Sequence, residues 1–237
     1  KNKLDTYFLL NIIRSKYSSF EDSYLQNITF YQLIVEVFDN ETAEFIKDSF
    51  GYDSEFIHLN ALAAITMFKD DLFKTTDYYI LQNGLSQIIE KMENILSFKK
   101  NVTILKNNSL QKIYDDKIVT SIDSYYYKNL VLAMPQYNLK QLDELKDFKE
   151  LNSVEPIQLL RIYAKYPVGK NGVWFKDIKR TTTNNYIRHI IPIDYKNGLI
   201  MISYVDCTYA NMLNSMYMNG KDALIKAIHK EIKTLFD

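Results

Sequence analysis

The sequence predicts an α+β fold: a helical segment, a helix plus β-meander, then a mixed or antiparallel sheet with helices. Three observations predict it. Apolar residues recur at helical spacing through the first third. Short apolar runs separated by turn residues fill the middle. Strands and helices then come in blocks rather than in strict β-α-β alternation, which argues against a doubly wound parallel sheet.

The elements follow in order. Leu4, Phe8 and Ile12 share one helical stripe, and Phe30, Leu33, Ile34 and Val37 share another. Asn40 can cap a helix over 41–50, which Gly51 ends in the left-handed conformation. A further helix covers 60–68, where Ala61, Ala63 and Ala64 permit close packing. The polar stretch 69–77 is a loop and a boundary. Leu85, Ile88, Ile89, Met92, Ile95 and Leu96 give one apolar helical stripe. Val102 and Ile104 mark a strand, Leu110 and Ile113 a second. Asp115-Asp116 makes a hairpin turn before Ile118 and Val119. The run 129–134 predicts a strand buried on both faces. Leu139, Leu142 and Leu145 predict a short helix over 138–148. A long strand follows over 156–166, then a turn at Gly169–Gly172, and strands at 173–175, 187–191 and 198–205. Two helices, over 209–216 and 222–236, close the chain. The last presents Leu224, Ile225, Ile228, Ile232 and Leu235 on one face. These blocks divide as 1–77 (helical), 78–137 (helix and meander) and 138–237 (sheet and helices).

The chain of 237 residues is long enough for one large domain or two small ones. With 47% hydrophobic residues it is not a disordered composition. Its 29 basic and 29 acidic side chains balance, so no global field draws it to nucleic acid or to an anionic membrane. The apolar runs are far too short for a membrane span, and residues 1–5 are not a signal peptide. The first residue is not methionine, which fits a fragment of a longer product. One cysteine, Cys207, cannot pair within the chain, so a reducing, cytoplasmic compartment is expected. His58, His189 and His229 lie far apart and not in ligand spacing with Cys207, so no metal site is expected. The heavy use of Tyr, Asn, Lys and Ile fits an A/T-rich genome, such as that of a large DNA virus or a parasite. The 19 tyrosines are scattered through helices and strands, which fits half-buried packing better than a nucleic-acid stacking platform.

Few residues carry chemistry. The chain holds no G-x-G-x-x-G, no G-x-x-x-x-G-K and no G-x-S-x-G. Gly84, before a helix, is by itself an N-terminal turn. Arg161 sits mid-strand, where it either points outward or presents a charge to a substrate. Tyr204 ends the GLIMISYVD strand and is either core packing or a site residue. Arg188, among apolar neighbours, needs a carboxylate partner, which Asp194 or Asp206 could supply. Trp174 follows a glycine turn and packs over the sheet; a substrate-stacking role is the second choice. Cys207 has no base beside it in sequence and is not a nucleophile.

The order from YYILQNGLSQIIEKM through NVTILKNNSLQKIYDDKIVTSIDSYYYKNLVLAMP resembles the middle of the flavin-containing amine oxidase superfamily, which includes protoporphyrinogen oxidases and phytoene desaturases. LRIYAKY, Trp174-Phe175, GLIMISYVD and the helical FGYDSEFIHLNALAAI extend the resemblance over nearly the whole chain. It implies an FAD-dependent oxidoreductase acting on an amine or a related small molecule. Gly84, Leu110 and Pro135 would then lie near the cofactor, Leu110 through backbone groups toward the adenine. The strands at 156–166 and 198–205 would line the substrate cavity. Two parts of the family pattern are missing: the amino-terminal β-α-β unit with its glycine-rich turn, and the carboxy-terminal glycine-rich segment. FAD binding would therefore need a flanking segment or a partner protein. A family lysine that holds a water by the flavin falls near Leu159 and Arg161, and arginine is no base at neutral pH. The alternative is a catalytically inactive relative with a structural or partner-binding role, viral and virion-associated.

Overall fold

The structure of the chain is a computed structural model that describes residues 5–71, 81 and 84–236. Leu4, residues 72–77, and Gln82-Asn83 of the proposed cofactor turn lie outside the described residues. The fold is α+β, and the chain divides into two units: Lys1–Thr76 with Ile157–Asp237, and Asp77–Pro156.

Local signals set the N-terminal helices α1 (Thr6–Lys16), α2 (Asp22–Leu25), α3 (Phe30–Val37), α4 (Asn40–Phe50) and α5 (Ala61–Asp71). Thr29 and Gln32 form a reciprocal capping box at the start of α3. Asp39, not Asn40, caps α4: its carboxylate accepts the Thr42 N–H at 2.7 Å. Asn60 caps α5 by accepting the Ala63 N–H at 2.9 Å. That helix runs on to Asp71, into the stretch predicted as loop. The core of this region gathers Leu9, Leu10, Ile13, Leu33, Ile34 and Ile46 around a group of rings. Phe50 lies 5.4 Å from Phe56 and 5.2 Å from Phe68, both edge-on, which suits the ring quadrupoles. In α1 the buried face is Leu9, Leu10 and Ile13, while Phe8 is exposed; the expected stripe was one position out of register. Ala61 and Ala64 are buried, but Ala63 faces outward.

The second unit holds α6 (Ser86–Ser97), β1 (Leu110–Ile113), β2 (Lys117–Thr120), β3 (Ser124–Tyr126) and α7 (Gln136–Leu139). The strands form an antiparallel meander in the order β1-β2-β3. The Asp115-Asp116 turn closes with the Tyr114 N–H donating to Lys117 O at 2.8 Å. Three expectations need correcting. Residues 102–104 form no strand. Residues 129–134 form none either, and Val131 is 86% exposed, because no further strand pairs with β3 among the described residues. The helix expected over 138–148 is a single turn, α7, followed by a series of turns that bury only Leu142. The apolar stripe of α6 exists, but its residues from Leu85 to Leu96 are 38% to 70% exposed. Among the described residues of this unit only Thr120 and Leu142 are buried.

The chain then supplies β4 (Leu159–Lys165), β5 (Thr181–Thr182), β6 (His189–Asp194), β7 (Leu199–Asp206), α8 (Cys207–Asn219) and α9 (Lys221–Phe236). The sheet is antiparallel throughout, in the order β4-β7-β6-β5. Residues 173–175 form a turn rather than a strand, although Val173 and Phe175 are buried, and the short edge strand β5 was not foreseen. Leu160, Ile162 and Ala164 of β4 pack with Ile200 and Val205 of β7 under α8 and α9. On α9 the buried residues are Leu224, Ile228 and Ile232, whereas Ile225 and Leu235 are more exposed. Alternation on β4 leaves Leu159, Arg161, Tyr163 and Lys165 on the opposite, open face.

Candidate functional site

The open sheet face and the segment after α4 meet at one cluster. It begins with Asp206, the last residue of β7 and 2% exposed. Its carboxylate accepts the backbone N–H groups of Asp53 at 3.0 Å and Ser54 at 2.9 Å. Ser54–His58 is one π-helical turn, and the carboxylate satisfies donors at its start that have no partner within the turn.

Arg188 stands beside it, 2% exposed and at φ 59. Its Nη1 donates to Asp48 Oδ1 at 2.7 Å and its Nη2 to Asp53 Oδ1. The ring of Tyr209 lies 5.4 Å from the guanidinium. Burial opposes the charge most strongly, but the bonds to Asp48 and Asp53 outweigh it and the pKa is raised. The expected partners were Asp194 and Asp206. Asp194 instead closes the β6–β7 turn on the N–H groups of Lys196 and Asn197, and Asp206 holds Asp53 and Ser54. Nothing in the sequence pairs Arg188 with acids 140 and 135 positions away. The only cue was that a buried arginine requires a carboxylate.

His189 is fully buried, and neither ring nitrogen has a hydrogen-bond partner. Burial, and then the charges of Arg180 and Arg188, lower its pKa to about 4, so the ring is neutral near pH 7. It packs 4.7 Å from the Tyr52 ring and 5.9 Å from the Tyr204 ring. Gly51, at φ +85, leaves room for it: a Cβ there would lie 2.7 Å from His189 Cε1. Tyr52 and Tyr204 meet edge-on at 5.1 Å. Burial, and then a hydrogen bond with Tyr204, raise the Tyr52 pKa.

Of the residues expected at a site, Arg161 and Tyr204 come together. They are register partners across β4 and β7. Arg161 Nη2 donates to Tyr204 Oη at 2.8 Å, and its guanidinium carbon lies 4.5 Å from the ring centroid. That hydrogen bond raises the Arg161 pKa. Among the described residues no carboxylate pairs with Arg161. Cys207 is buried, which pushes its thiol up to about 12 and leaves it a poor nucleophile at neutral pH. Trp174, 41% exposed, packs edge-on against Tyr166 and Phe175 and lies 5.9 Å from the Phe236 ring.

Gly84, Leu110 and Pro135 make local contacts in the second unit. The Gly84 N–H donates to Leu81 O at 3.0 Å, Leu110 pairs with Thr120, and Pro135 O accepts from Asn138 at 2.9 Å. A dinucleotide needs converging free N–H groups at a helix N-terminus. At the start of α6 the Gln87 and Ile88 N–H groups already donate to Gly84 O and Leu85 O. Gly84 is the single glycine there, and a Cβ on it would meet nothing within 4 Å. Among the described residues, the start of α6 thus offers no glycine-rich turn for a dinucleotide. Among them, no group of three His, Cys, Asp or Glu side chains is placed to hold a metal ion. No helix among them is long and apolar enough to cross a membrane.

In comparisons with known proteins, no family model and no curated protein matches the chain.

Proposed function

We propose that this chain is the substrate-facing portion of a flavin-dependent oxidoreductase of the amine-oxidase kind. The observation that carries the proposal is the Arg161–Tyr204 pair on the open face of β4 and β7, the two strands that the resemblance places at the cavity. In that family the flavin accepts a hydride equivalent from the substrate. With the family's glycine-rich parts missing, the flavin would be held by a flanking segment or a partner and not by the described residues. Their task is to shape and charge a wall. Tyr163 and Tyr204 offer rings to an apolar or aromatic body, with Tyr52 and His189 packed behind Tyr204. Arg161 disfavours an ammonium beside it, so an amine binds in its neutral form.

NMR of the full chain labelled at tyrosine, titrated with a phenylalkylamine, tests this. The Tyr163 and Tyr204 signals should shift, more strongly as pH rises toward the amine's own pKa, and the shifts should vanish in Tyr204→Ala. Absence of any shift across that range rules out the substrate wall. FAD added to the same protein should elute separately on gel filtration; a stoichiometric yellow complex would show that a cradle exists after all.

A second reading, a partner-binding protein without catalysis, is favoured by the exposed apolar stripe of α6. It predicts that charge substitutions at Ile89 and Met92 abolish association with the partner while leaving the amine-induced shifts intact.

A further inference from the structure

β4 lies at the edge of its sheet, with β7 on one side and no strand on the other among the described residues. At one end of the pairing Gln158 O accepts the Cys207 N–H at 3.0 Å, and at the other the Tyr166 N–H donates to Gly198 O at 2.9 Å. In an antiparallel ladder alternate residues bond to the same neighbour. Leu160, Ile162 and Ala164 therefore turn their N–H and C=O groups to β7, and Leu159, Arg161, Tyr163 and Lys165 turn theirs outward. Among the described residues no backbone group bonds to that outer row. Leu159 is 56% and Tyr163 53% exposed, so the edge is open to an approaching chain.

The two faces beside this edge differ. On the helix side a groove of ≈ 640 Å³ runs along the strand, lined by Leu160, Ile162 and Ala164 together with Leu224, Ile225 and Ile228 of α9. On the open face stand Arg161 and Lys165, and among the described residues neither pairs with a carboxylate. A second copy of β4 laid antiparallel would set Arg161 against Lys165, like charge against like, which is unfavourable. A strand with two acids on one face and apolar residues on the other meets both demands. Its acids stand opposite Arg161 and Lys165, and its apolar side chains enter the groove under α9. We infer that the outer edge of β4 binds an extended peptide of this acidic and apolar alternation, adding it to the sheet as a further antiparallel strand. The inference rests on neither functional reading above, since no flavin, no amine and no part of α6 is involved.

Fluorescence anisotropy of a labelled heptapeptide with the full chain tests it. The peptide carries glutamate at its first and fifth positions, to stand opposite Lys165 and Arg161. Isoleucine, valine and isoleucine fill the second, fourth and sixth positions, and threonine the others. It should bind one to one, and its counterpart with lysine in place of glutamate about tenfold more weakly. Methylating the backbone nitrogens of the third and fifth positions, which face β4, should abolish binding, whereas methylating those of the second and fourth, which face away, should spare it. Lys165→Glu, a change at an exposed residue, should weaken the glutamate peptide several-fold and strengthen the lysine one. Ile225→Asp, at a groove position 40% exposed, should weaken both. Failure of the glutamate peptide to bind, equal binding of the lysine peptide, or equal sensitivity to the two pairs of methylations overturns the inference.

Discussion

Replacing Gly51 with alanine tests whether the helical region and the sheet are locked together at His189. Gly51 ends α4 at φ +85, a left-handed conformation that costs an L-residue about 1–2 kcal/mol. A Cβ would also stand 2.7 Å from His189 Cε1 and 3.1 Å from Cδ2, and closer still to Nε2. The imidazole is fully buried and pinned against Tyr52, so it cannot swing aside. Forcing a methyl into such a site adds about 1–3 kcal/mol. The two effects together predict a loss of about 2–5 kcal/mol. Urea denaturation of the wild type, Gly51→Ala, His189→Ala and the double variant separates them. The backbone cost persists in the double variant, while the collision disappears with the imidazole. A coupling of about 1–3 kcal/mol should therefore appear in the cycle. Additive losses, or a Gly51→Ala cost below about 1 kcal/mol, would refute the close packing of Gly51 on His189.

Two further outcomes follow from the same cluster. Arg188→Met leaves Asp48 and Asp53 without their shared cation and should cost about 3–5 kcal/mol in urea denaturation; Asp53→Asn, which keeps an acceptor oxygen, should cost less, and a negligible Arg188→Met effect would exclude a structural role for the pair. His189 has its pKa lowered from 6.5 to about 4 in the fold, so between those values the unfolded chain binds the extra proton: its contribution is complete above pH 6.5 and is lost as pH falls toward 4, by on the order of 3 kcal/mol. The stability difference between wild type and His189→Gln should decline across that window, and a flat difference would mean the ring is hydrated or paired.

Strand position singled out Arg161 and Tyr204, which the sheet does pair; the resemblance to flavin enzymes put their strands at a cavity. It also led to Gly84, Leu110 and Pro135, which make local backbone contacts in the second unit. A lone glycine before a helix looks the same in sequence whether its neighbours leave amides free or not. The stripe of α6 was equally legible, yet periodicity tells which residues share a face and not whether anything covers it. The run 129–134 looked like a buried strand because it is apolar, but a strand also requires a partner ladder, and none forms beside it.

The features legible from residue pattern are local ones. The left-handed Gly51, the Asp115-Asp116 turn and the alternation along β4 depend on residues within a turn or two of one another, so pattern suffices. The packing of distant segments settles that Arg188 answers Asp48 and Asp53, that Gly51 makes room for His189, and that Arg161 meets Tyr204. Those pairings join residues far apart in the chain. A buried charge requires a counter-charge and a buried ring requires space, but which residue supplies them depends on how the helical region packs against the sheet.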